Sequence, residues 1–167
     1  MNVFILRHGS AVEPGTPGCE RDSDRPLTPK GERRLQVVCA AMKKMELSFD
    51  FVLASPFLRA KQTAEIVAEE LELKKKPQFS DALVPGGSAK NLIRQLNELR
   101  PAPENVLLVG HEPYLSRLIS LLISGEDYTT IEMKKGGLCK LETVDLRPGV
   151  CARLAWLLTP SQMELMA

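Results

Sequence analysis

The chain has 167 residues, 44% of them apolar, and a formal net charge of +1. This is a globular composition of ordinary domain size, so residues 1–167 are expected to form a single domain. The balanced charge argues against a nonspecific nucleic-acid binder, and no apolar run approaches the ~20 residues that cross a membrane.

The N-terminus lacks a charged-then-apolar signal segment, because its short apolar run is interrupted by Arg7 and His8. The cysteines, Cys19, Cys39, Cys139 and Cys151, form no C-x-x-C pair, and the chain has only two histidines. A Cys/His metal site is therefore not expected. Free thiols in a reducing cytoplasm are.

Val3-Phe4-Ile5-Leu6 is a continuous apolar run and reads as a strand buried on both faces. It delivers Arg7 and His8 at its carboxyl end, where open α/β sheets bind ligands. Gly9 is expected to let the chain turn and a ligand approach the backbone. Ser10 to Arg25 has no periodicity and reads as a loop walling any site there. Thr28-Pro29 pairs a hydroxyl cap with proline at the first helical position. Leu35, Val38, Cys39 and Met42 then carry helical spacing to about Met45.

Phe51 to Ala54 predicts a second strand. Ser55-Pro56 repeats the cap-then-proline signal, for a helix from Phe57 to about Leu71. Arg59 lies in its first turn, where backbone N–H groups already favour an anion. Taken alone, Arg59 reads as a solvated helix charge. Lys74 to Lys76 reads as a solvated loop, Pro77 to Phe79 as an edge strand, and Ala89 to about Leu99 as a helix capped by Ser88. Asn105 to Gly110 echoes the opening strand and ends in His111. A helix follows Glu112-Pro113 to about Ile123. Leu138 to Leu146 and Cys151 to Leu158 read as paired strands, with Leu138, Leu141, Val144, Leu154, Ala155 and Leu157 buried. Thr159-Pro160 starts a last short helix. Alternating strands and helices predict an α/β fold, a mostly parallel sheet between two helical layers, closed by an antiparallel C-terminal strand pair.

If the strands are neighbours, Arg7, His8, Arg59 and His111 converge on one crevice. Two arginines and two histidines make an anion site, and guanidinium suits phosphate because it gives paired hydrogen bonds. A neutral imidazole is a nucleophile able to form a covalent intermediate. Phosphoryl transfer asks mainly for positioning and charge stabilisation, which these side chains could supply without metal or cofactor.

Three segments, Leu6-Arg7-His8-Gly9, Ser55 to Ala64 and Val109-Gly110-His111-Glu112-Pro113, resemble the signatures of the histidine phosphatase superfamily. The superfamily is also called phosphoglycerate mutase-like. Arg25-Pro26-Leu27-Thr28 and the small size resemble its SixA-type phosphohistidine phosphatases. The resemblance implies a three-layer αβα sandwich of the phosphoglycerate mutase-like kind. It also implies that His8 attacks phosphorus and is transiently phosphorylated. Arg7 and Arg59 would clamp the phosphoryl oxygens, and His111 would donate a hydrogen bond to the transferring group, in the imidazolium form if it is charged. A backbone carbonyl should hold the other N–H of His8.

Two departures from the wider family are visible. Ser10 stands where many members have an acidic residue or glutamine. No glutamate in an insertion supplies a general acid, and Asp81 is the sole acid near that region. A phosphohistidine substrate fits this gap, because a protonated imidazole leaves more easily than an alkoxide. Asp22 and Asp24 read as solvated loop charges, with a role as acid or substrate contact open, and Arg25 as a weaker candidate at the site mouth. The leading reading is a metal-independent phosphatase of a phosphohistidine-containing protein, monomeric by default. The alternatives are a phosphatase or mutase of small phosphorylated metabolites, or an inactive phosphate- or phosphoprotein-binding module.

Overall fold

A computed structural model describes residues 1–167. The elements are β1 (Asn2–Arg7), α1 (Pro29–Lys44), β2 (Phe51–Ala54), α2 (Leu58–Glu70), β3 (Gln78–Phe79), α3 (Ala89–Glu98), β4 (Asn105–Gly110), α4 (Tyr114–Ser124), β5 (Leu138–Thr143), β6 (Ala152–Leu158) and α5 (Pro160–Glu164). Two 3-10 turns, Asp22–Asp24 and Asp81–Leu83, interrupt the loops. No helix is long and apolar enough to cross a membrane.

The strands form one sheet in the order β3-β2-β4-β1-β5-β6. The first four are mutually parallel, while β5 runs antiparallel to β1 and β6 antiparallel to β5. Side chains alternate across the sheet, so each central strand feeds two cores. Val3 and Ile5 of β1 and Val106 and Leu108 of β4 pack with α3 and α4. Phe4 and Leu6, with Leu107 and Val109, pack with α1, α2 and α5. The continuous apolar runs thus serve two helical layers at once, giving the expected αβα arrangement.

The helices begin where local chemistry tells them to. Thr28 caps α1 by accepting from Gly31 N, with Pro29 behind it, and Ser88 caps α3 by accepting from Asn91 N. Thr159 and Gln162 form a reciprocal capping box at α5. The four cysteines are free. Cys39 and Cys139 are buried, which pushes both thiols up to about 12 and leaves them chemically quiet.

Three expectations need correction. Ser55 does not cap α2, whose cap residue Phe57 makes no side-chain cap bond. Val144, Leu154 and Ala155 are exposed rather than buried. The strand β5 stops at Thr143, before Val144, and β6 is the sheet's edge, with Arg153, Leu154 and Ala155 exposed in succession where its pairing with β5 is irregular; Leu146, beyond β5, is buried in the core. Gly9 has no positive φ; a Cβ there would lie 2.7 Å from Leu35 Cδ1 and 3.2 Å from Leu27 Cδ2. Its absent side chain serves packing of β1's exit against α1.

Candidate active site

The chain leaves β1 toward the α1 face and leaves the adjacent β4 toward the α4 face. Neighbouring parallel strands with diverging connections open a crevice at their carboxyl ends. In the register Arg7 pairs with Gly110, and His8 N donates to Gly110 O at 3.1 Å. The next residues, His8 and His111, therefore come side by side, their ring centroids 5.0 Å apart. The neighbouring strand β2 delivers Ser55, whose N–H donates to Val109 O, and then Phe57 and α2 with Arg59. Thr63 ties this helix to β1: its hydroxyl donates to Arg59 O at 2.7 Å and accepts from Gly9 N at 3.1 Å.

The hydrogen bonds fix the state of each imidazole. His8 Nδ1 lies 2.7 Å from Gly9 O, which can only accept, so Nδ1 carries the proton. Its Nε2 accepts from Arg59 Nε at 3.2 Å and therefore presents a lone pair. His111 Nε2 lies 2.8 Å from Ser55 Oγ. That buried hydroxyl also accepts from Phe57 N and has no other acceptor for its own proton. The Ser55 hydroxyl is fully paired when it donates to Nε2, which places the His111 proton on Nδ1. Nδ1 is buried and has no protein partner.

His8 and His111 are 6% and 1% exposed, and polar and aromatic groups lie against both rings. Phe57 lies edge-on to His111 at 5.3 Å, and the Arg59 guanidinium sits 5.4 Å over the same phenyl ring. Burial, followed by the charges of Arg59, Arg7 and Lys135, outweighs the Gly9 hydrogen bond and pushes His8 down to about 3. Burial and then the neighbouring His8 and Arg59 push His111 down to about 3 as well. Both are neutral near neutral pH, and a phosphoryl dianion between them would raise both.

Arg7 Nη1 donates to Met133 O at 2.7 Å, while its buried Nε has no partner. Burial lowers the Arg7 and Arg59 guanidiniums from their ordinary value, but Glu112 and Asp22 respectively counter it. Both remain cations at neutral pH. All four side chains named from the sequence, Arg7, His8, Arg59 and His111, are thus gathered at one set of strand ends.

Other predicted residues fare differently. Asp81 is exposed and takes no part in these hydrogen bonds. Asp24 pairs with exposed Arg21 on the surface. Asp22 is exposed, as a solvated loop charge should be, and also binds both Arg59 and Arg25. Ser55 and Glu112 are further members that sequence reasoning did not assign. Both lie inside the segments that carry the resemblance, which was the signal available. Glu112 accepts from Ser116 N at the start of α4 and steadies the Arg7 charge.

Comparison with known proteins gives the class. Residues 3–83 match the model of the histidine phosphatase superfamily, branch 1. The chain belongs to that superfamily. Among its relatives are SixA-type proteins. Phosphohistidine phosphatase SixA of Escherichia coli is 34% identical over 75% of this chain and 76% of its own. An uncharacterised protein of Picosynechococcus is 36% identical over 86% of both. The structure of the protein histidine phosphatase SixA complexed with tungstate superposes with a TM-score of 0.81 at 29% identity, over 96% of this chain and 98% of that one.

Proposed function

We propose that this chain is a phosphohistidine phosphatase acting on a protein through a phospho-His8 intermediate. One observation carries the reading: the Nε2 lone pair of His8 faces Arg59 while Gly9 O holds the opposite nitrogen's proton. A ring so fixed attacks through one nitrogen without waiting for deprotonation. The His8 Nε2 lone pair bonds to phosphorus as the substrate's P–N bond breaks, and that electron pair returns to the leaving imidazole. With a proton on its far nitrogen, the leaving ring departs neutral. Arg7 and Arg59 balance the charge on the phosphoryl oxygens, and His111 Nδ1–H donates to one of them. Water then attacks the phosphorus of phospho-His8, giving inorganic phosphate and restoring the imidazole.

The substrate assignment is supported by kinship to SixA. The test is a substrate panel with label trapping at alkaline pH. Radiolabel should pass from a phosphohistidine protein to His8, vanish in His8→Ala, and turn over faster than from sugar phosphates. Equal or faster hydrolysis of sugar phosphates would overturn the substrate. Turnover persisting in His8→Ala would overturn the intermediate.

A further inference from the structure

A guanidinium can grip an oxyanion along two edges: the end edge, Nη1 with Nη2, or the side edge, Nε with Nη2. In Arg59 the end edge is taken by a single residue. Nη1 donates to Asp22 O at 2.6 Å and Nη2 to Asp22 Oδ2 at 2.9 Å. The 3-10 turn Asp22–Asp24 is what presents that carbonyl and carboxylate together. The side edge, with Nε–H 3.2 Å from His8 Nε2, is thereby turned toward the nucleophile.

Asp22 is itself braced. Its other oxygen, Oδ1, accepts from Arg25 Nε at 2.8 Å and lies 2.6 Å from Arg25 Nη2. Arg25 Nη1 anchors on Val12 O at 2.7 Å. The loop's far end is fastened to Arg59's own helix, where Gln62 Oε1 accepts from Leu27 N at 2.8 Å. Arg59 is 3% exposed, so few other rotamers are open to it.

We propose that Asp22 is the positioning residue that aims the Arg59 side edge at a phosphoryl group in front of His8, with Arg25 as its brace. The proposal rests on the phosphoryl-transfer reading above and adds a residue to it. It also removes Asp22 as general acid. Burial opposes its ionisation, but the hydrogen bonds from Arg59 and Arg25 prevail and hold its carboxyl below the ordinary value. A carboxylate kept ionised by two arginines has no proton to give.

The experiment is a double-mutant cycle on the full chain. It measures kcat, KM and orthovanadate affinity for wild type, Asp22→Asn, Arg59→Ala and the double variant, with thermal melts to confirm folding. Asp22→Asn should lower kcat/KM and weaken orthovanadate by about tenfold, and this penalty should vanish when Arg59 is already alanine. Asp22→Glu should restore part of the loss, and Arg25→Ala should cause a smaller loss in the same direction. Tighter orthovanadate binding by Asp22→Asn would show a competitor rather than an aid, and overturn the proposal. An equal loss with and without Arg59 would reduce Asp22 to a general stabiliser and overturn it too. A wild type that neither binds orthovanadate nor labels on His8 would refute the phosphoryl reading itself. A wild type that does both, beside a failed cycle, refutes Asp22 alone.

Discussion

Ser55 Oγ accepts from Phe57 N and holds His111 Nε2, so one small hydroxyl sets which His111 nitrogen is protonated. Ser55→Ala leaves that nitrogen unpartnered in a buried site. We expect kcat/KM to fall about tenfold, equivalent to ~1.4 kcal/mol of transition-state stabilisation, while the fold persists. Steady-state kinetics with circular dichroism checks this, and unchanged kcat/KM would show that the tautomer needs no such support. The sequence shows why this residue escaped notice. Ser55-Pro56 is a good local cap signal, and nothing local says that the hydroxyl is claimed by a residue 56 positions away. The pairing of Asp22 with Arg59 was hidden for the same reason, since the two lie 37 positions apart. Arg7, His8 and His111 were legible because each ends or directly follows a strand signal, while Arg59, in the first turn of α2, became legible only through the Ser55 to Ala64 segment.

The first crossover shows how an element reaches the site. Helix α1 approaches the β1 exit so closely that a Cβ on Gly31 would stand 2.1 Å from Ser10 O. That same carbonyl accepts from Thr28 N at 2.9 Å, fastening the loop to the helix start. Gly31→Ala must therefore move backbone, at about 1–3 kcal/mol of overpacking. We expect a lower urea midpoint together with reduced turnover, because Ser10 follows the nucleophile's own segment. A variant as stable as wild type would show that the loop yields freely. Boundaries of α1, β2, α3 and β4 were legible within a residue or so from caps and apolar runs. The C-terminal hairpin was less so. Alternation there predicts a buried face, but Val144 lies beyond the end of β5 and β6 has no outer neighbour.

At the scale of the molecule, strand order decides everything, and local pattern does not contain it. Only because β4 inserts between β1 and β2 do His8 and His111 become neighbours. The two buried imidazoles also leave a mark on stability. Both stand at about 3 when folded, against ~6.5 in an unfolded chain. Between those values the unfolded state binds more protons, so stability is full above about pH 6.5 and is lost as pH falls. The urea midpoint should drop between pH 7 and pH 5, where most carboxylates do not yet titrate, and His8→Gln or His111→Gln should flatten the slope. The same slope in both variants would place the acid sensitivity elsewhere.

The central claim is that side chains from three strand ends share one tetrahedral oxyanion with His8 Nε2 aimed at its centre. A crystal structure of the chain with bound orthovanadate tests it most directly. The account predicts vanadium facing His8 Nε2, its oxygens held by the Arg7 Nε, the Arg59 side edge and His111 Nδ1. Vanadate seated away from His8, or held by the Arg59 end edge after Asp22 has let go, would contradict it.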